Sequence, residues 1–250
     1  MSRRLLKADA VVLKTVKFGE IHKRVTLLTN TEGILYVNAY GASKGKSKLS
    51  GLVLPFSYLH VNIYHDPVKN GYKLTDAYPV RMHAEIHTNL KKYYAASTIA
   101  EVLLKSFGGG ETVPFFTATV EILERIEQAE ADKVVYCLIQ FLWRFIMISG
   151  LAPDLYTCSR CGREAGRGTD VYIDVTHQEA YCSSCGGERM LALNRGGVQY
   201  LDRTAGMKLS AACRVTLDRT TLKQIYLFCK NYTESVLESR ILSLTLWEEQ

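Results

Sequence analysis

The chain has 250 residues, 47% hydrophobic and 22% charged, with a net charge of +6. It is long enough for one large core or two to three small ones. Its most apolar stretch, Phe141 to Leu151, is broken by Arg144, so no membrane span is expected on length and charge. Residues 1–80 hold twelve Lys and Arg against five Asp and Glu, a balance of +7, which leaves −1 for the rest. That asymmetry points to an anionic partner met by the N-terminal third, nucleic acid first, with an acidic protein or a membrane surface behind it. Residues 1–20 carry no signal-peptide apolar run, which predicts a reducing, cytoplasmic setting.

From Lys7 to about Pro79 the pattern is of short strands. Ala10–Val16, Val25–Thr29, Ile34–Tyr40, Ser57–Tyr64 and Tyr72–Thr75 are rich in β-branched and aromatic residues, and turn signals at Gly33, Gly41, Gly45, Pro67 and Asn70-Gly71 bound them. Five short strands predict a small antiparallel barrel, of which the OB-fold is the nucleic-acid-binding example. Two basic clusters fall within it. Lys14, Lys17, Lys23 and Arg24 surround Phe18, which either stacks on a base or fills the barrel; Lys44, Lys46 and Lys48 alternate with small residues beside Tyr36 and Tyr40. Both sets suit contact with consecutive phosphates, and the second also suits a solvated loop.

After Pro79 the period lengthens toward 3.6. Leu90 to Leu104 predicts a helix ended by Gly108-Gly109-Gly110, with further helices over Phe115–Ala129, Asp132–Ser149, Gly197–Ala205 and Arg219–Ser243. His83-Ala-Glu-Ile-His87 has two imidazoles four apart, but the glutamate is misplaced for the metalloprotease pattern, so a surface helix start is expected.

Cys158-Ser-Arg-Cys161 and Cys182-Ser-Ser-Cys185, twenty residues apart, supply four soft thiolates with the spacing of one structural zinc ion, Zn2+. Disulfides would need an oxidising compartment, and a dithiol redox site needs only one pair. Cys137, Cys213 and Cys229 lie in apolar helical surroundings and are expected to be buried small hydrophobes. No phosphate loop, nucleophile elbow or catalytic carboxylate pair is present, so no enzyme activity is expected.

Four segments in order carry a resemblance to the bacterial RecO family of recombination mediators. They are the hairpin with Glu20, Thr29 and Gly33; Ala39 to Phe56; Phe141 to Pro153 with Arg144; and the segment opened by Cys158. The chain departs from the family pattern at Tyr40 and Ser43, where cations are usual, and at Leu151, where an aromatic is usual. The resemblance implies an α+β multidomain protein. Its parts would be an OB-fold β-barrel over 1–80, an all-α helical domain over 81–154 and 194–250, and a four-cysteine zinc module inserted at 155–193. It further implies binding of single- and double-stranded DNA, strand annealing, and action with RecR to load RecA onto DNA coated by single-strand DNA-binding protein (SSB), near the nucleoid. Arg144 is placed where a cation meets the acidic C-terminal tail of SSB, or where an ordinary core-edge arginine sits. A zinc-ribbon RNA-binding module is the competing reading of the same residues, and a zinc or thiol enzyme the third.

Overall fold

A computed structural model of the chain describes residues 5–45, 47–68, 70–106 and 112–248. Lys46 and the glycine triplet at 108–110 lie outside the described residues. The chain forms two compact units, Met1–Gln128 and Ala129–Gln250; the stretch predicted as the first helical segment, 81–154, is shared between them.

In the first unit, strands β1 (Leu5–Phe18), β2 (His22–Thr29), β3 (Gly33–Ala39), β4 (Tyr58–Asp66) and β5 (Gly71–Arg81) close into a barrel in the order β1-β2-β3-β5-β4. This is the expected five-stranded OB-type barrel. β1 is longer than the sequence pattern suggests because it serves two neighbours. Its first half pairs with β4, its second half with β2, and a bulge between Val12 and Lys14 bends it between them. A parallel contact of Val37 and Asn38 with Tyr72 and Lys73 closes the barrel. Every second residue faces inward, so Val12, Val25, Leu27, Leu35, Val37, Leu59, Val61, Ile63 and Leu74 fill the interior. At the β4–β5 turn the predicted Asn-Gly signal is realised, with Asn70 at φ +44°.

Helices α1 (Ala84–Thr88), α2 (Leu90–Ser106) and α3 (Val113–Gln128) complete this unit. The expected surface start of α1 is corrected at His83. That residue is buried in a left-handed conformation, φ +49°, with Nδ1 unpartnered; His87 alone is exposed. Burial pushes the His83 imidazole below its ordinary pKa, against the pull of Glu127 and Glu124, while Arg81 and His87 add to the lowering. His83 offers no side-chain cap, so the Glu127 carboxylate accepts from the Glu85 and Ile86 amides at 3.2 and 3.1 Å instead.

The second unit is built on α4 (Val134–Ile148) packed against α7 (Arg219–Val236). Trp143, Phe228 and Tyr232 pack in series as tilted ring pairs with centroids 6.1 and 5.3 Å apart. α5 (Arg195–Ala205) and α7 start at Asn194 and Asp218, which accept from the Gly197 and Thr221 amides; α6 (Leu209–Ala212) lies between them. Cys137 and Cys229 are buried and Cys213 half-buried, and burial alone pushes the Cys229 thiol up. The single terminal helix expected over Arg219–Ser243 is two helices: α7 ends at Val236 and α8 spans Leu242–Glu248. Glu238 turns left-handed at φ +48°, and its amide and that of Ser239 bond back to Ser235 and Glu234. This is a Schellman end without its usual glycine, so composition carries no sign of it.

Candidate metal centre and nucleic-acid interface

The cysteine segment folds as a three-stranded sheet, β6 (Val171–Asp174), β7 (Glu179–Tyr181) and β8 (Leu191–Leu193), in the order β7-β6-β8. Each Cys-x-x-Cys forms a tight knuckle. Gly162 donates to the Cys158 carbonyl at 2.9 Å with φ +67°, and Gly186 to the Cys182 carbonyl at 2.8 Å. The Ser159 amide donates to Ala180 at 2.9 Å, holding the first knuckle beside the strand that leads into the second.

All four sulfurs lie within 4.8 Å of one another. The Cys161–Cys182 separation is 3.8 Å, the edge of a tetrahedron with metal–sulfur bonds of about 2.3 Å. Burial raises the Cys158 thiol, but amides of Cys182, Cys161 and Arg160 and the Cys161 thiol outweigh it and bring its pKa down to about 6. Burial first, and then hydrogen bonds to Cys161, Cys182 and Cys158, push Cys185 up to about 12. The cluster therefore accepts its first negative charge readily and resists the last. A cation at its centre removes that resistance, so the donor set and its spacing fit a thiophilic metal ion.

On the barrel, the antiparallel register separates the first predicted basic cluster. Lys14 pairs with Thr26 and Val16 with Arg24, so Lys14 and Arg24 point outward; Lys17 pairs with Lys23 on the opposite face of the same ribbon. The side chain of Phe18 is exposed, at 38%. Arg24 lies over its ring at 4.7 Å, His22 meets both Phe18 and Tyr40, and Lys73 from β5 lies 5.6 Å over Tyr40. Arg24, Phe18, His22, Tyr40 and Lys73 thus form one continuous outward ribbon of cations and rings. Tyr36, 62% exposed on β3, points to the same side. The Gly41 amide donates to His22 Nδ1 at 2.9 Å, which leaves the proton on Nε2 and fixes that ring's orientation. Lys73 and His22 are absent from the clusters that the sequence suggests. Lys73 joins only through the parallel β3–β5 pairing, which has no local signature.

The structure also joins part of the lysine loop to the hairpin. Ser43 bonds to the Ile21 and His22 carbonyls, the Thr15 hydroxyl to Val53, and Lys23 Nζ to Ser50 at 3.1 Å. These bonds frame a groove of about 480 Å³ lined by Thr15, Lys17, Glu20, Lys23, Val53 and Leu54, among others. Lys44 and Lys48 are exposed on the loop that forms its second wall. Among the described residues, none of Lys14, Lys17, Lys23, Arg24, Lys44 and Lys48 forms a salt bridge, whereas Lys105, Lys230 and Arg81 do. The charge of the barrel cations therefore remains open to an external anion.

Arg144 lies in the second unit and donates to the Thr204 and Met207 carbonyls at 3.4 and 2.5 Å. It sits at the C-terminal end of α5, where the Gly206 and Met207 amides also donate to the Thr204 carbonyl and the helix dipole favours a cation. The two imidazoles of the His83–His87 motif are separated by burial, and among the described residues only the four cysteines group as metal ligands.

Two protein-family models match the chain: "Recombination protein O N terminal" over residues 1–83 and "Recombination protein O C terminal" over residues 87–245. The DNA repair protein RecO of Desulforamulus reducens is 27% identical over 245 residues, covering 95% of this chain and 92% of that protein. The DNA repair protein RecO of Thermoanaerobacter sp. is 27% identical over 183 residues, covering 73% and 71%. That of Caldanaerobacter subterraneus subsp. tengcongensis is 29% identical over 187 residues, covering 74% and 69%.

Proposed function

Because this chain belongs to the recombination protein O (RecO) family of DNA repair proteins, we propose that it is a non-enzymatic mediator that binds single- and double-stranded DNA and anneals complementary strands. The observation that carries the reading is the outward ribbon of Arg24, Phe18, His22, Tyr40 and Lys73, with Tyr36 beside it. Ring faces accept any base, and cations between them accept the backbone, which yields sequence-tolerant, salt-sensitive binding. Annealing requires no bond to be made or broken. Two polyanions held on one cationic domain repel each other less and meet at a higher effective concentration. In this reading the protein acts with RecR to load RecA onto DNA coated by single-strand DNA-binding protein.

Cys158, Cys161, Cys182 and Cys185 would hold one Zn2+, whose contribution is folding energy. Four protein sulfurs leave no coordination position for water or substrate. The barrel and its cations carry the binding, and the cysteine segment supports the fold of the second unit.

The test is annealing of two complementary fluorescent oligonucleotides, naked and coated with single-strand DNA-binding protein, beside single-strand DNA and RNA affinities. Removing one ring by Tyr36→Ala or Tyr40→Ala is expected to weaken single-strand binding by about 1–3 kcal/mol, roughly five- to 150-fold. Unchanged affinity in both variants would refute the ribbon. RNA bound more tightly than DNA, with no annealing, would replace the mediator with an RNA-binding module.

A further inference from the structure

We propose that the groove between the β1–β2 hairpin and the β3–β4 loop is a second, separate strand-binding surface, so that one barrel holds two single strands back to back across the hairpin. The inference rests on the reading of the outward ribbon as the first strand's surface.

Three observations carry it. Lys17 and Lys23 stand directly opposite each other in the antiparallel register, a placement in which like charges destabilise the pair unless an anion lies against them. Neither has an ion-pair partner among the described residues, and Lys23 is held toward the loop by the Ser50 carbonyl. The groove between them and the loop has a volume of about 480 Å³, with Leu54 and Pro55 as an apolar wall. Leu54 is 40% exposed there. Lysine ammonium groups beside an apolar surface match the two chemistries of a nucleotide chain, phosphate and base face.

The two surfaces are on opposite sides of a two-stranded ribbon, because residues alternate faces: Lys14 and Arg24 outward, Lys17 and Lys23 toward the groove. A single strand covering both would have to turn round the hairpin tip, Gly19-Glu20-Ile21, past the exposed Glu20 carboxylate, which repels phosphate. Glu20 also lines the groove, but there Lys17 and Lys23 together outweigh its charge. Two strands on the two faces avoid the tip. Their backbones are then separated by the thickness of one peptide ribbon and neutralised from both sides, the arrangement an annealing protein needs before base pairing begins.

The experiment counts strands. Full-length zinc-loaded protein is mixed with two differently labelled, non-complementary oligonucleotides, and complexes are weighed by native mass spectrometry, with second-strand affinity followed by energy transfer between the labels. Wild type is expected to carry both strands on one chain. Lys17→Gln with Lys23→Gln removes two phosphate contacts. The second strand's salt slope should fall by about 1.4, which at about 0.15 M salt is roughly a tenfold loss of affinity, while the first strand's affinity changes much less. Arg24→Gln with Lys73→Gln should do the reverse. Second-strand binding that survives the lysine pair unchanged would overturn the inference, as would equal loss of both strands, which would mark one continuous path. A wild-type chain that holds one strand only overturns it and leaves the mediator reading standing; a chain that holds none overturns that reading itself.

Discussion

Gly186→Ala should release the metal while its neighbour Gly187→Ala does nothing. A β-carbon at position 186 would lie 2.4, 2.6 and 2.7 Å from Cγ, Cδ2 and Cβ of Tyr172, whereas at 187 nothing lies within 4 Å. The contact with Tyr172 Cβ cannot be relieved by a rotamer change. Tyr172 cannot retreat either, because β6 is the central strand, paired with Tyr181 on one side and Ala192 on the other. The Cys185–Gly186 backbone must therefore move by about 1 Å, five times the roughly 0.2 Å tolerance of a metal–sulfur bond. Structural zinc sites are worth about 10–16 kcal/mol, so one of four ligands corresponds to about 2.5–4 kcal/mol, or two to three orders of magnitude in zinc affinity. Chelator competition with zinc-loaded protein reads this directly, and thermal unfolding with and without chelator reads its effect on the second unit. If Gly186→Ala holds zinc within about threefold of wild type, the packing argument is wrong and the knuckle is softer than its contacts imply.

Three further outcomes are expected. Glu238→Gly should stabilise the second unit by about 1 kcal/mol in urea unfolding, since it places the residue best suited to φ +48° at the α7 end; a loss of stability would show that the glutamate side chain has a role there. Acidification should loosen the start of α1: the folded pKa of His83 lies below its unfolded value, so the unfolded chain takes up the proton first and stability falls as pH drops below about 6.5. His83→Asn, which tolerates the same backbone conformation, should flatten that pH dependence in amide exchange of the Glu85 and Ile86 amides, and an unchanged dependence would assign it to another group. Arg144→Met should lower the stability of the second unit by about 1 kcal/mol through loss of its bond to the Met207 carbonyl, since the Thr204 carbonyl keeps the Met207 amide. A variant equally stable but deficient in binding the acidic tail of single-strand DNA-binding protein would show instead that this arginine serves a partner.

The candidate metal-binding cysteines are legible in the sequence because covalent spacing alone brings together the two cysteines of each Cys-x-x-Cys, and soft-donor chemistry names the ion class that would suit them without any tertiary information. The strands of the barrel are legible for a similar reason: the alternation of Ile34 to Tyr40 and Ser57 to Tyr64 is a local record of which side is buried. The periodicity over Arg219–Ser243 overruns the true helix end because the usual glycine there is Glu238, and a left-handed glutamate leaves no trace in composition. The burial of His83 is hidden because polarity is a poor guide where neighbouring elements close over a side chain.

What the sequence determined by itself is the set of interacting groups: four thiolates, a basic N-terminal third, five strands with an inward apolar face, and the segments that place the chain in its family. What only the tertiary structure decided is which of those groups meet. Alternation puts Lys14 and Arg24 on the face opposite Lys17 and Lys23, and closure of the barrel decided which of those faces looks outward; Phe18 was turned to solvent beside His22; Lys73 was delivered to Tyr40 by a parallel pairing from more than thirty positions away. Periodicity records the environment of each residue along its own element. The face a strand shows beyond the barrel core, and the neighbour across it, depend on hydrogen bonds between distant segments, for which a single sequence has no local pattern.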